Sequence, residues 1–221
     1  MNQHKEAFKQ IMRGQFPIRM AQVIYGQGDG KRSVFIQWFD NIRERHPPFS
    51  ARADSWIEND AVICFSPNRD TFCKEEGAYM HSASVAVEIK TNFKDLVSDK
   101  KMEEYAGANE YTFLAVPKTL LLPAVMRLDR DEAYKPFIGL LNYETGDIII
   151  LPTVDKDFDR TRNAKLMSSC FLTYKRMPGA DAVYQIRETL LLQGKPLQFE
   201  EVEGRWINAD YIREKRIPVT F

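Results

Sequence analysis

The chain has few of the residues and segments that mark a secreted or membrane protein. Three of its 221 residues are cysteines, Cys64, Cys73 and Cys170, and an odd, widely spread set is typical of reduced thiols. The longest apolar stretch, residues 111–126, is interrupted by two prolines and a lysine and is too short to span a bilayer. The first six residues are polar and lack the apolar segment of a signal peptide. These absences predict a cytoplasmic protein with no membrane partner.

An excess of charge of either sign is also lacking. The 31 Lys and Arg residues balance the 31 Asp and Glu residues, which argues against nucleic-acid binding through bulk positive charge and leaves a local basic cleft open. The hydrophobic fraction of 44% and the charged fraction of 28% are ordinary for a globular protein. Neither an internal repeat nor a low-complexity tract is present. The length therefore indicates one domain with additions, large enough for a sizeable core.

Several common catalytic and binding motifs are missing. No Gly-x-Ser-x-Gly occurs, so a serine hydrolase is unsupported. Residues 26–31 are rich in glycine, but Tyr25 and Arg32 stand where a phosphate-binding loop requires Gly and Ser or Thr. The spacing of the cysteines matches no common zinc pattern. A zinc site would have to use Cys64, Cys73 and His81.

Hydrophobic spacing predicts the order of the secondary-structure elements. Val34, Trp38 and Ile42 recur like one face of a helix, which predicts a helix at residues 33–45. The polar stretch from Ser66 to Ser84 is expected to be a long loop or insertion. Further helices are predicted at 3–13, 93–106, 160–174 and 181–192, and strands at 54–57, 61–65, 85–90, 111–116 and in a hairpin of 137–141 with 147–151. This order predicts an α/β fold with a central mixed β-sheet flanked by helices.

The segment Val85-Ala86-Val87-Glu88-Ile89-Lys90 holds the most informative pair of charges. Side chains alternate along a strand, so Glu88 and Lys90 point to one face and Ile89 to the other. A carboxylate and an ammonium beside an apolar run are costly unless they are used. One Asp from a neighbouring strand would complete a carboxylate pair for a hard divalent cation. The alternative is a solvated ion pair at a strand end.

The predicted helix at 93–106 offers a competing pattern and a second group of polar residues. Asp99-Lys100-Lys101 matches the same short motif, but residues two apart on a helix do not share a face. Lys101 and Tyr105 are four apart and do share one. Asp95 and Asp99 have the same spacing and are expected to lie on a solvated face. The strand motif is therefore favoured over the helical one.

Five segments, taken together, carry a family resemblance. They are Arg52-Ala53-Asp54, Val87-Glu88-Ile89-Lys90, Asp95-Leu96, Asp99-Lys100-Lys101 with Tyr105, and Phe113-Leu114-Ala115-Val116-Pro117. They resemble the PD-(D/E)XK, or restriction-endonuclease-like, nuclease superfamily, and within it a small bacterial DNA-repair-associated family. The resemblance implies a nuclease-like core at 33–177, an N-terminal helical extension at 1–32, and a C-terminal extension at 178–221 that packs on the core or forms a homodimer contact.

The resemblance also implies a metal site. Asp54 and Glu88 match the metal-binding carboxylates, with the backbone carbonyl of Ile89 as a third ligand. Two carboxylates and several waters suit Mg²⁺, for which Mn²⁺ substitutes. The stretch between the two carboxylates is longer than in the compact relatives, and Ala replaces the Pro that names the superfamily. Glu58 and Asp60 therefore stay open as alternatives to Asp54.

The remaining site residues follow from the same resemblance. Lys90 matches the residue that orients or activates the attacking water and stabilises developing negative charge. Lys101 and Tyr105 match helix positions that approach the scissile phosphate. Basic residues at 160–176 would track the backbone of a DNA partner, or would form a solvated helix face. The implied activity is metal-dependent hydrolysis of DNA phosphodiester bonds in repair or restriction.

Two alternatives to a repair nuclease remain. The first is a non-catalytic member of the same fold that binds DNA or another protein, which the zero net charge and the long segment before Glu88 favour. The second is a sequence-specific restriction enzyme in which the insertion at 66–84 and the C-terminal extension supply base contacts.

Overall fold

One mixed β-sheet runs through the protein. The computed structural model describes residues 3–26, 32–45, 56–68, 82–99, 109–130, 136–154, 158 and 187–214. Within these ranges the strands are β1 (Ser33–Arg45), β2 (Trp56–Pro67), β3 (Ala83–Ile89), β4 (Tyr111–Val116), β5 (Ile138–Asn142), β6 (Asp147–Leu151), β7 (Arg187–Leu191), β8 (Phe199–Val202) and β9 (Arg205–Asn208). They form a single sheet in the order β7-β1-β2-β3-β4-β5-β6-β9-β8.

The sheet combines antiparallel wings with a parallel centre. Strands β1 to β3 are antiparallel neighbours, and β7 extends them at one edge. The pairs β3/β4 and β4/β5 are parallel, whereas β6, β9 and β8 continue antiparallel to the other edge. The predicted α/β class with a mixed sheet and flanking helices is confirmed.

Helices cover both faces of this sheet. In the described ranges they are α1 (Gln3–Arg13), α2 (Phe16–Tyr25), α3 (Phe93–Ser98), α4 (Leu121–Arg130), which a 3₁₀ turn at Lys118–Leu120 precedes, and α5 (Ala209–Arg213). None of the helices in the described part of the chain is long and apolar enough to cross a membrane.

Two hydrophobic cores lie on the two sides of the sheet. On one side, Ile11 and Phe16 from α1 and α2 pack with Trp38, Val87 and the neighbouring strands. On the other side, residues of α3, α4 and α5 pack against β4, β5 and β6. Side chains alternate along a strand, so Val87 and Ile89 of β3 both enter the first core. The pairing of β5 with β6 is irregular, and there the adjacent Ile149 and Ile150 both enter the second core.

The helix predicted at residues 33–45 is wrong, because this segment forms β1. Positions spaced by four, such as Val34 and Trp38, share a face on a strand as well as on a helix. Ile36 lies between them and is also buried, whereas Phe35 and Gln37 are more exposed, which is the alternation of a strand. Backbone pairing of β1 with β2 over almost its full length provides the hydrogen bonds that decide the outcome.

Several boundaries also differ from the sequence prediction. The two short strands expected at 54–57 and 61–65 are one strand, β2. The end of the helix predicted at 181–192 is wrong, since Arg187–Leu191 is an edge strand paired with β1. The helix at 3–13, the strand at 111–116 and the hairpin are confirmed. The helix predicted at 160–174 and most of the 66–84 insertion lie outside the described residues.

Candidate active site

The candidate site begins where β3 ends. This strand is buried along its whole length between antiparallel β2 and parallel β4. The Lys90 amide donates to the Ala115 carbonyl at 2.9 Å, so the ladder with β4 continues past the last residue of β3. The backbone that carries Glu88 and Lys90 is therefore fixed by hydrogen bonds on the sheet.

Glu88 and Lys90 form a buried ion pair. Lys90 Nζ lies 2.8 Å from Glu88 Oε1, and both residues are less than 9% exposed. The two side chains thus point to one face, as predicted, while Ile89 enters the core beneath α1 and α2. Burial excludes a solvated pair at a strand end.

Strand β2 places a second carboxylate, that of Asp60, beside this pair. Ala61 is paired with Val87, which places the preceding residue, Asp60, beside Glu88. Asp60 Oδ2 accepts a hydrogen bond from the Ile89 amide at 2.8 Å. Burial raises the pKa of Asp60, although that hydrogen bond acts in the opposite direction.

Glu88 has the electrostatic environment of a cation ligand. Burial and the nearby Asp60 carboxylate raise the pKa of Glu88 from 4.5 to about 7, against the opposing effect of Lys90. Glu88 Oε2 is buried and has no hydrogen-bond partner among the described residues. A buried carboxylate oxygen without a partner is costly, and a divalent cation would relieve both the desolvation and the repulsion.

Two further carboxylates come from helix α3 and approach Lys90. Asp99 Oδ2 lies 2.8 Å from Lys90 Nζ, and Asp95 Oδ1 lies 3.7 Å from it. The expectation that Asp99 is solvated on a helix is wrong, because its side chain is 5% exposed. The helix ends at Ser98, and Asp99 has extended backbone angles, φ −68° and ψ 115°. This change of direction turns its carboxylate toward the strand.

The charge of Lys90 is stabilised by its neighbours. Burial alone would lower the pKa of the ammonium group, but the carboxylates of Glu88 and Asp99 outweigh that effect and raise it. Lys90 therefore stays protonated across the physiological range.

Helix α1 contributes a residue that sequence reasoning missed. His4 Nδ1 lies 3.7 Å from Asp60 Oδ2, and His4 Nε2 lies 3.8 Å from Asp95 Oδ2. The ring thus stands between a carboxylate of β2 and one of α3. No local motif identifies it, because His4 is more than fifty residues from either partner along the chain.

Three predicted site residues, Asp54, Lys101 and Tyr105, lie outside the described residues. Within the described ranges, no group of three or more His, Cys, Asp or Glu side chains is arranged to hold a metal ion. Cys64 is buried, and the other two residues of the zinc alternative, Cys73 and His81, lie outside those ranges.

The geometry places two close carboxylates, Asp60 and Glu88, and one fixed ammonium at the carboxyl end of a central strand. Such a set suits a hard divalent cation together with an anionic ligand. The chain matches no family model, and neither a curated protein nor a solved structure is significantly similar to it.

Proposed function

We propose that the protein is a Mg²⁺-dependent nuclease of the PD-(D/E)XK type that hydrolyses phosphodiester bonds of DNA. The observation that carries this proposal is the buried pair of carboxylates at the end of β3, with Glu88 Oε2 lacking a partner among the described residues and Lys90 beside it. The parallel and antiparallel neighbours of the Val-Glu-Ile-Lys strand also support the resemblance that its sequence shows.

The proposed metal ligands are Glu88, Asp60 and the Ile89 carbonyl. Asp60 is preferred to Asp54 because its carboxylate already contacts the backbone beside Glu88. Both carboxylates lie in an environment that disfavours their charged forms, so a cation is the natural partner for them. When bound, Mg²⁺ supplies a more acidic water and neutralises charge on phosphoryl oxygens.

Lys90 provides the positive charge for the substrate. Its ammonium group is held between Glu88 and Asp99, so it need not be reorganised when negative charge develops on the phosphate. Lys101 and Tyr105 remain the proposed phosphate contacts of the segment that follows α3. DNA is the proposed substrate because of the family resemblance.

Plasmid cleavage with purified variants tests the proposal. We expect the wild-type chain to nick or linearise DNA with Mg²⁺ or Mn²⁺ and to lose the activity in EDTA. Glu88→Gln and Asp60→Asn should each reduce the rate of cleavage by about 100-fold or more. Losses of this size are typical when a group that stabilises the transition state electrostatically is removed. Asp210→Asn is the matched control, since this exposed carboxylate pairs with Arg213, three residues further along the same helix.

The Asp54→Asn variant decides between the two candidate ligands. Loss of activity in Asp54→Asn with full activity in Asp60→Asn would overturn the ligand assignment. Wild-type rates in Glu88→Gln would overturn the nuclease site as a whole.

One observation favours a second candidate, a non-catalytic module of the same fold. Lys90 already neutralises Glu88 and Asp99 without a metal ion, as a structural ion-pair network would. Calorimetric titration with Mn²⁺ separates the two functions. Saturable binding that Glu88→Gln removes supports the enzyme, whereas absence of binding in the wild-type chain supports the module.

A further inference from the structure

We propose that Asp99 is a positioning residue that holds the Lys90 ammonium in place at the candidate active site. The catalytic consequence of this inference rests on the proposed function, whereas the contact between the Asp99 and Lys90 side chains is observed in the structure. Asp99 Oδ2 and Glu88 Oε1 each lie 2.8 Å from Lys90 Nζ. The ammonium is thus held from the strand by one carboxylate and from the end of α3 by another.

Asp99 is itself fixed from two directions. Its backbone carbonyl accepts a hydrogen bond from Arg127 Nη2 of α4 at 3.1 Å. Helix α3 is anchored by Leu96 in the second core and is capped at its N-terminus by Asn92, whose side chain accepts from the Asp95 amide at 2.9 Å. The carboxylate of Asp99 therefore approaches Lys90 from a braced helix end.

The two carboxylates that flank Lys90 have different tasks. Glu88 is a proposed metal ligand, so its oxygens are shared between the cation and the ammonium group. Asp99 has its side chain 5% exposed and directed to Lys90, and it can keep the ammonium group in position when Glu88 is engaged. A lysine side chain has several rotatable bonds and loses its orientation readily when it loses a close partner.

Asp95 provides a graded comparison on the same helix. Its nearer oxygen lies 3.7 Å from Lys90 Nζ, and its side chain is 36% exposed. Solvent screens such a contact. If a short, buried contact positions Lys90, Asp99→Asn should disturb the position of the ammonium group more than Asp95→Asn does.

Nuclear magnetic resonance of ¹⁵N-labelled lysine tests the contact without any activity measurement. In the wild-type chain we expect a slowly exchanging Nζ signal, assigned to Lys90 by its loss in Lys90→Arg, because the ammonium group is buried between two carboxylates. Asp99→Asn should broaden or remove the signal, Asp95→Asn should retain it, and Asp99→Glu should restore it in part. An unchanged signal in Asp99→Asn, or a loss in Asp95→Asn as large as that in Asp99→Asn, would overturn the inference.

Kinetics then test the positioning role. We expect Asp99→Asn to lower kcat by about 100-fold, the scale of misplacing a catalytic group by an ångström, with KM and calorimetric Mn²⁺ binding within about twofold of wild type. Asp99→Glu should recover part of kcat. A loss confined to KM or to Mn²⁺ binding would contradict positioning. If the wild-type chain cleaves no DNA, the proposed function fails, while the resonance experiment still decides whether Asp99 holds Lys90.

Discussion

At the scale of a single residue, the Glu88 carboxylate lowers the stability of the folded protein when it is ionised. Its carboxylate is buried beside that of Asp60, and its pKa is raised to about 7. Near neutral pH the folded chain therefore either binds a proton at Glu88 or carries an unfavourable buried charge. Groups perturbed in this way concentrate at functional sites, where strain in the free protein is relieved by a ligand.

Replacing Glu88 by Gln should stabilise the metal-free protein at alkaline pH. A carboxyl whose folded pKa is raised contributes stability that is complete below its ordinary pKa of 4.5 and is lost as the pH rises through about 7. A glutamine side chain does not ionise. The free energy of unfolding of the Glu88→Gln variant should therefore be about 2–3 kcal/mol higher than that of the wild-type chain at pH 8. At pH 4.5 that advantage should disappear.

Urea unfolding in EDTA at pH 4.5 and pH 8 measures this difference. Lys90→Arg serves as a control for the ion pair, since it keeps the positive charge beside Glu88. A Glu88→Gln effect of the same size at both pH values would show that Glu88 does not titrate with folding.

The residues of the site were predictable from the sequence to different degrees. Glu88 and Lys90 belong to one short strand, so their common face follows from alternation alone. Asp60, Asp99 and His4 reach the site through strand pairing, a helix end and the packing of α1, respectively. Such contacts depend on how the elements pack against each other, and local periodicity holds no information about them.

At the scale of elements, β5 depends on a close approach that only glycine permits. A Cβ atom at Gly139 would lie 2.5 Å from the Pro152 ring, 2.7 Å from the Ile150 carbonyl oxygen and 2.7 Å from the Phe113 ring. These neighbours belong to β4 and to the region of β6, so they are held by the sheet. Gly139 therefore lets the strand carrying Phe113 and the hairpin pack together.

Gly139→Ala should destabilise the protein by about 3 kcal/mol, the upper end of overpacking in a core. Gly194→Ala is the comparison, because Gly194 has φ +96° with nothing within 4 Å of its Cβ position and should cost about 1 kcal/mol from backbone strain alone. Thermal and urea unfolding of both variants measure the effect. A smaller loss in Gly139→Ala than in Gly194→Ala would contradict steric crowding at β5.

Elements differ in how far sequence determines them. The hairpin of β5 and β6 has alternating apolar runs around a turn, and it was predicted correctly. Strand β1 was not, because Val34, Trp38 and Ile42 satisfy both helical and strand spacing, and pairing with β2 and β7 favours the strand. Strand β7 likewise takes its structure from the edge it completes.

At the scale of the whole molecule, described elements from both halves of the chain pack on or pair with one sheet. Helices α1 and α2 cover one face, β7 forms one edge, and β8 with β9 forms the other. Asp147, the first residue of β6, connects α2, the turn of the hairpin and α5. Its carboxylate accepts from Arg19 of α2, from Thr145 at 2.6 Å and from the Tyr211 hydroxyl of α5 at 3.2 Å.

Asp147→Asn should weaken the whole fold in a pH-dependent way. Burial would raise the pKa of Asp147, but hydrogen bonds from Thr145 and Arg19 outweigh it and lower the pKa below 3.8. A depressed folded pKa contributes stability that is present above the ordinary value and is lost as the pH falls through the folded one. The variant should therefore lose about 1–3 kcal/mol at pH 7, the scale of a charge-assisted hydrogen bond, and progressively less below pH 3.8.

Urea unfolding of the wild-type chain and the Asp147→Asn variant from pH 2.5 to pH 7 measures this loss of stability. Asp210→Asn is the matched control variant. Asp210 also pairs with an arginine, Arg213, at 2.6 Å, but its side chain is 66% exposed, so its removal should change stability by less than about 0.5 kcal/mol. Because Asp147 connects α2 to α5 through the hairpin, the Asp147→Asn loss should appear in one cooperative transition. A separate early transition of the terminal elements would show that Asp147 stabilises them locally and not the molecule as a unit.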